Sequence, residues 1–473
     1  MIDCKMLTDL KSGGFGSEKS RAWFMPYSSM EDLEKGNNKT CPNIITLNGE
    51  WNFNYFNDVR VAQNFPDIEY PLTVKVPHSA QLDGFDSPIY CGGGYIMPYF
   101  PPYVPKENPA FAYKKTVNLT RDGRKFIAFE GVDSCFYLSV NGQVIGFARV
   151  SHSFNEFEIT DYIKDGENEI CVLVVKFNAG SYLEDQDKWR LSGIFRSVYI
   201  ISRPQKFLRD YTVTTRIGES ACVAEFAFDN PQNVPVKVCF NGCEFEALSN
   251  RVSVVAENVK LWSAEQPDLY DFIIVAGKQS EEEYIRERVG FREIKVEGGV
   301  VKVNGKAIKL RGVNRHEFHP EKGAAITEND MLYDLSLMKK LNVNAIRTSH
   351  YPNMHEFYEA CDEYGFYVVD EADLECHGAA HQNGINTYEE KLFSDLAENA
   401  EWESEFMRRI EKLYSRDKNR PCVLFWSLGN ESGYGRNFEA AAKWLKSRGD
   451  GRLIHYEGIF HRPGEDIYYT KNL

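Results

Sequence analysis

The sequence predicts a multidomain β plus α/β protein: a jelly-roll β sandwich, an immunoglobulin-like β sandwich, and an incomplete (β/α)8 TIM barrel. Three observations predict it. The length of 473 residues exceeds what one ordinary core accommodates, so two or three domains are expected. From about residue 44 to 294, short β-type runs alternate with turn residues and show no helical periodicity. From about 295 onward, helix and strand patterns alternate, as parallel strands joined by helices require.

The boundaries follow these changes of texture: an N-terminal extension over 1–43, the jelly roll over 44–205, the immunoglobulin-like sandwich over 206–294, and the barrel segment over 295–473. In the first sandwich, strands are expected at Leu47–Phe53, Phe136–Val140 and Ile170–Val175. Asn141-Gly142 follows Val140 directly, the strongest short signal for a two-residue hairpin turn. Asn241-Gly242 repeats that signal in the second sandwich, and Asn304-Gly305 opens the third zone in the same way.

In the third zone, Thr327 with Asp330 three residues on reads as a helix N-cap. Met331, Leu332, Leu335, Met338 and Leu341 then follow at helical spacing. Strands are expected at Asn344–Thr348, Phe366–Val369, Leu424–Trp426 and Leu453–Tyr456, with Leu310 and Ile467 at further strand positions. Helices are expected over about 353–363, ending at Gly365, over about 395–415 before Pro421, and around Phe438–Leu445. This makes five or six βα units, short of the roughly 250 residues a closed barrel takes. The barrel is therefore expected to be cut off within this chain.

Composition narrows the function. A net charge of −14 argues against nucleic acid or an anionic membrane as partner. No apolar run approaches the ~20 residues of a membrane span, and the start of the chain does not resemble a signal peptide. Eleven scattered cysteines read as reduced thiols, so a cytoplasmic protein is expected.

The chemistry sits at strand ends, where barrel enzymes build their sites. Four successive strands run into polar clusters: Asn314-Arg315-His316-Glu317, Arg347 through His350, Asp370-Glu371 with Asp373, Glu375 and His377, and Asn430-Glu431. Burying such groups costs several kcal/mol unless they pair. Each has a structural alternative: Arg347 as a core arginine paired with Glu371 or Asp370, and Glu375 with His377 as loop caps. Their occurrence in order at consecutive strand ends points to an active site. Glu375, His377 and Glu431 also form a partial cation shell, with room for waters, that suits Mg²⁺ or Mn²⁺.

These motifs together resemble the β-galactosidase branch of glycoside hydrolase family 2. They are Arg311–Glu317, Ser349–Pro352, Asp370–Ala372, Glu375–Gly378 and Trp426–Ser432, joined upstream by Gly180–Arg196 and Leu261–Tyr270. The resemblance implies that Glu431 is the general acid/base and a magnesium ligand together with Glu375 and His377. It implies that His316, His350 and Asn430 hold the sugar or stabilise the transition state. Asp187 would reach from the jelly roll to touch the sugar and a Na⁺ ion; otherwise it is an acidic loop residue beside Trp189 and Arg190. A terminal β-galactoside, as in lactose, is the implied substrate, and a homo-oligomer the implied full-length state.

Three departures stand out. The family usually shows Thr-Asn after the Pro88-Ile89-Tyr90 equivalent, and here Cys91-Gly92-Gly93-Gly94 stands instead. Arg420 precedes Pro421 where a histidine is usual. The family's nucleophilic glutamate falls beyond residue 473, and a retaining mechanism needs a second carboxylate. No nucleophile is therefore expected in this chain; Glu457, the nearest spare carboxylate, reads as structural or as a substrate neighbour. Two alternative functions remain open: an inactive galactoside-binding or complementation fragment awaiting a C-terminal chain, and β-glucuronidase or β-mannosidase activity, which Asp185-Gln186-Asp187 disfavours.

Overall fold

The structure is a computed structural model that describes residues 2–35, 41–382 and 389–461. Its first sandwich packs two antiparallel sheets. The larger has six strands in the spatial order Leu72–Val76, Gly49–Phe56, Ala110–Leu119, Gly166–Val175, Cys135–Val140, Gln143–Arg149. The smaller orders Ile44–Thr46, Val198–Arg203, Arg124–Phe129 and Asn155–Glu158. Strand alternation sends Trp51, Phe53, Phe111, Phe129, Phe136 and Ile200 into the space between the sheets.

The second sandwich has seven strands, three facing four. In Arg251–Glu257, burial alternates strictly, so Val252, Val254 and Ala256 point inward while their neighbours meet water. The Asn-Gly pairs at 141–142, 241–242 and 304–305 form the expected hairpin turns: Asn141, Asn241 and Asn304 have φ of 49°, 48° and 53°, with positive φ at each following glycine.

The third zone is a five-stranded parallel sheet ordered Gly312–Asn314, Ala345–Arg347, Tyr367–Glu371, Val423–Ser427, Leu453–His455. Helices Glu328–Lys340, His355–Tyr364, Glu403–Asp417 and Arg436–Lys446 cover it. Thr327 and Asp330 form a reciprocal capping box at the first of these. Two expectations are corrected. The first strand begins at Gly312 and leaves Leu310 outside it. The helix expected over about 395–415 is broken into a short helix, Asp395–Glu398, and a long one, Glu403–Asp417, because Asn399 between them is extended and its side chain accepts from Glu401 N–H at 3.0 Å. Ile467 lies outside the described residues.

Residues 2–35 form no domain of their own and act as a strap. Ile2 and Leu7 pack on the outer face of the six-stranded sheet. Phe15 bridges Phe147, and Ala22 and Phe24 enter the second sandwich's core. Trp23 donates its N–H to the Arg416 carbonyl in the barrel at 3.1 Å.

Candidate active site

The carboxyl ends of the parallel strands carry the site because each strand is a short apolar run that stops at a polar residue. Val423–Trp426 is nearly all buried, and two residues after Ser427 the chain turns at Gly429, with φ of +141°. A side chain there would strike the Leu374 carbonyl at 2.5 Å, so glycine lets this turn press against the neighbouring loop. Asn430 and Glu431 follow. Asn430 N–H donates to the Leu374 carbonyl at 2.9 Å and stitches this loop to the one carrying Glu375. Glu431 itself has φ of +25°.

Asn430 is the hub. Its amide donates to Glu375 Oε2 at 3.0 Å and its carbonyl accepts from Arg347 Nη2 at 2.9 Å. Arg347 also donates through Nε to Glu371 Oε2 at 2.6 Å. Of the two partners open to Arg347 in the sequence, Glu371 is therefore the one it meets. Glu371 is fully buried and is closed in by His350 Nδ1 at 2.6 Å and Ser427 Oγ at 2.5 Å. Ser427 in turn meets His455 Nδ1 at 2.9 Å. Glu371 is thus a structural anchor, which leaves Arg347 and His350 fixed with their remaining atoms toward the strand ends.

Glu375, His377 and Glu431 each offer one ligand atom, all within 4.8 Å of one another. His377 Nδ1 hydrogen-bonds Glu431 Oε2. That bond raises the His377 pKa and holds Glu431 below its ordinary value, with burial opposing both shifts. Glu375 is 1% exposed, and among the described residues no cationic side chain pairs with it. Burial, and then the nearby Glu431, Asp185 and Glu371 carboxylates, push its pKa well up against the hydrogen bond from Asn430. A buried carboxylate held by a neutral amide, beside a second carboxylate and an imidazole, is a donor set suited to a cation. The residues therefore fit a metal ion.

Asp187 and His316 lie apart from that trio and line a cavity of about 250 Å³ with Tyr90, His152, Lys188 and Tyr351. His316 stands between the two groups: its ring meets His350 edge-on with centroids 5.6 Å apart, and its Nδ1 meets the Tyr351 hydroxyl at 3.2 Å. Burial, reinforced by His350 and Lys188, lowers the His316 pKa to about 4, so this imidazole is neutral near pH 7. Asp187 is exposed and accepts a hydrogen bond from the Tyr90 hydroxyl. Gly92 packs so closely that an added Cβ would fall 2.9 Å from Asp187 Oδ1, and the Cys91 thiol turns back to the Gly94 carbonyl at 2.6 Å. The glycine loop thus supports Asp187 from behind rather than sending a side chain of its own into the cavity.

Sequence reasoning missed one pair. His152, from the turn after Gln143–Arg149, stacks on Tyr351 at 3.9 Å and bonds Asp373 at 2.9 Å. Nothing local marks His152, because its partners lie about two hundred residues away.

Three family models match in succession. One described as "Glycosyl hydrolases family 2, sugar binding domain" covers residues 44–204, one described as "Glycosyl hydrolases family 2" covers 208–292, and "Glycosyl hydrolases family 2, TIM barrel domain" covers 294–470. Among curated proteins, a beta-galactosidase of Actinobacillus pleuropneumoniae is 38% identical over 482 residues, spanning 96% of this chain and 47% of that protein. A beta-galactosidase of Staphylococcus xylosus is 37% identical, spanning 96% of this chain and 46% of that protein. The chain thus spans about half the length of the curated relatives it matches. Among solved structures, a beta-glucuronidase from an uncultured Clostridium species superposes with a TM-score of 0.69 at 22% identity, covering 87% of this chain and 72% of that one. One from Dictyoglomus thermophilum gives 0.68 at 19%, with the same coverage. At such identity these two speak to the fold alone.

Proposed function

The chain belongs to glycosyl hydrolase family 2, and from that premise we propose that its protein hydrolyses terminal β-D-galactosides with retention of configuration. The observation that carries this reading is the Asn430–Glu431 pair at the end of a buried strand. There Glu431 is half exposed toward substrate and bonded to His377, beside Glu375. The similarity to beta-galactosidases along nearly the whole chain supports galactose as the sugar.

Glu431 is assigned the acid/base role. In the first half-reaction it gives its proton to the glycosidic oxygen, and in the second it takes one from water. The hydrogen bond from His377 favours the ionised carboxylate, the form the second half needs. Arg347 holds Asn430 so that Glu431, the next residue, projects from a fixed hinge. Neutral His316 and the anchored His350 are assigned to sugar hydroxyls, and Asp187 to the sugar's far edge and a Na⁺ ion. Glu375, His377 and Glu431 would hold Mg²⁺, which when bound supplies positive charge beside the acid/base carboxylate.

The nucleophile is assigned to a carboxylate outside the described residues. Inside them, Glu371 is sealed by three hydrogen-bonded partners and Glu375 is buried against Asn430. Glu457 uses Oε1 to accept Glu431's own N–H. A second reading, an assembly fragment that needs a complementing chain, draws on one observation. Among the described residues the parallel sheet has two unpaired edges, Gly312–Asn314 and Leu453–His455.

The deciding assay is turnover of a nitrophenyl β-galactoside by the purified chain with Mg²⁺ and Na⁺, alone and mixed with a chain supplying further barrel strands. Turnover in either arm that Glu431→Gln removes for lactose supports the assignment. Full lactose turnover by Glu431→Gln refutes the acid role. Turnover by the chain alone refutes the fragment reading.

A further inference from the structure

A second group of metal-type ligands lies outside the site above, where the jelly roll, the barrel and the N-terminal strap meet. Glu130 follows the Arg124–Phe129 strand, and His355 and Glu356 open the helix His355–Tyr364. One ligand atom from each lies within 4.8 Å of the others. His355 Nδ1 stands 3.2 Å from Glu130 Oε1 and 3.3 Å from Glu356 Oε2.

Three observations point to an ion between these atoms. First, the contacts are ion pairs with poor hydrogen-bond geometry: His355 Nδ1 and Glu356 Oε2 are both buried without a well-aligned hydrogen-bond partner. A buried polar atom without a partner costs about 1–3 kcal/mol, and His355 as a whole is 9% exposed. Second, the spacing is that of ligands sharing an ion. Bonds of about 2.0–2.1 Å directed tetrahedrally place neighbouring ligands about 3.3 Å apart. Third, the surroundings are built. The Tyr199 hydroxyl donates to Glu130 Oε1 at 3.0 Å, the kind of outer contact that aims a metal-binding carboxylate. The Trp23 indole covers His355 in a parallel stack at 3.5 Å. No lysine or arginine forms an ion pair with the Glu130 or Glu356 carboxylate among the described residues; Arg196 stands near, but gives Nη1 to the Glu130 main-chain carbonyl at 3.4 Å and Nη2 to Glu317 and the Pro352 carbonyl.

We propose that Glu130, His355 and Glu356 form a structural site for a divalent transition ion, zinc in the first instance, that pins the barrel to the jelly roll beneath the strap. One imidazole and two carboxylates suit zinc, and a water would complete four-coordination. The site shares no residue with Glu375, His377 and Glu431, so it is separable from catalysis.

The test uses the whole chain carrying Glu375→Gln and Glu431→Gln, isosteric changes that disable the other group. After chelation and dialysis, Zn²⁺ uptake is measured by elemental analysis, Co²⁺ by its visible absorption, and thermal unfolding with and without Zn²⁺. The expected result is one bound equivalent and a midpoint raised by several degrees, both lost when Glu356→Gln is added. His355→Ala should behave likewise. If it does not fold, Glu356→Gln, which keeps the shape of a partly exposed side chain, decides alone. No uptake, or uptake unchanged by Glu356→Gln, overturns the proposal and leaves an imidazolium bridging two carboxylates.

Discussion

Glu457 accepts the main-chain N–H of Glu431 at 3.0 Å. A carboxylate from the end of the fifth parallel strand therefore braces the residue assigned the acid/base role. Glu431 needs the brace, because its φ of +25° is a conformation that residues with a side chain seldom adopt and that costs of order 1–3 kcal/mol.

Replacing Glu457 by alanine should lower stability by about 1.5–3 kcal/mol, the range for a hydrogen bond to a charged group. Glu457→Gln keeps an acceptor oxygen and should lose less than half of that. Urea unfolding of the two variants checks it. Equal losses would show that the charge, and not the bond to Glu431, matters there.

Arg347→Met should be severe. It strips a fully buried Glu371 of the one guanidinium it pairs with among the described residues and Asn430 of a donor, and breaking a buried pair in this way costs about 3–5 kcal/mol. Arg347→Lys offers one compact charge for two partners 83 and 24 residues away in sequence, and should recover only part of the loss. Denaturant midpoints for the three proteins give the ranking.

His152 predicts a pH dependence. Burial lowers its pKa to about 4 from an ordinary 6.5, so it folds as the neutral ring. Between those values the unfolded chain binds more protons than the folded one. The stability from a neutral His152 is therefore complete above about pH 6.5 and is lost as pH falls toward 4. At 1.36 kcal/mol per unit this is about 3 kcal/mol in all. Stability curves from pH 4 to 8 should be flatter for His152→Gln than for the parent. Parallel curves would refute the assignment.

Gly92→Ala isolates Asp187. The new methyl meets only the end of the Asp187 side chain, at 2.9 Å, and the backbone there needs no left-handed conformation. The fold should hold within about 0.5 kcal/mol. In a preparation that turns over galactoside, KM should rise several-fold with kcat less affected. An unchanged KM would remove Asp187 from the sugar site.

Metal removal should be visible without any assay of turnover. Chelation should lower the thermal midpoint of the parent chain, and Mg²⁺ should restore it. Glu375→Gln, which removes the buried charge, should gain nothing from Mg²⁺. Restoration by Mg²⁺ in that variant would move the ion elsewhere.

Much of this site was legible because strand ends announce themselves. An apolar run such as Val423–Trp426 needs no partner to be read, and the polar residues after it fall where the fold puts its chemistry. The Asn-Gly turns were legible for the same local reason. What escaped depends on distance. His152 reads as an ordinary loop histidine until Asp373 and Tyr351 arrive against it. The role of Glu371 as an anchor, and not a reactive group, rests on contacts from two other strand ends, with His455 of a third behind Ser427. The strap has no period to detect, because Phe15, Trp23 and Phe24 each answer to a different domain.

That strap also sets an order of events during synthesis. Leu10 offers its carbonyl to Ser404, 394 residues later, and Trp23 waits for His355 and Arg416. At about 5–20 residues per second, roughly 20 to 80 seconds pass before those partners leave the ribosome. Through that interval the two sandwiches can close while the barrel contacts of the first thirty residues stay unmade, leaving the His355-facing side of Trp23 in water. The strap is made before either sandwich yet is among the last segments to be locked, and a nascent chain stalled before the Glu403–Asp417 helix would leave that face of the tryptophan open to chaperones.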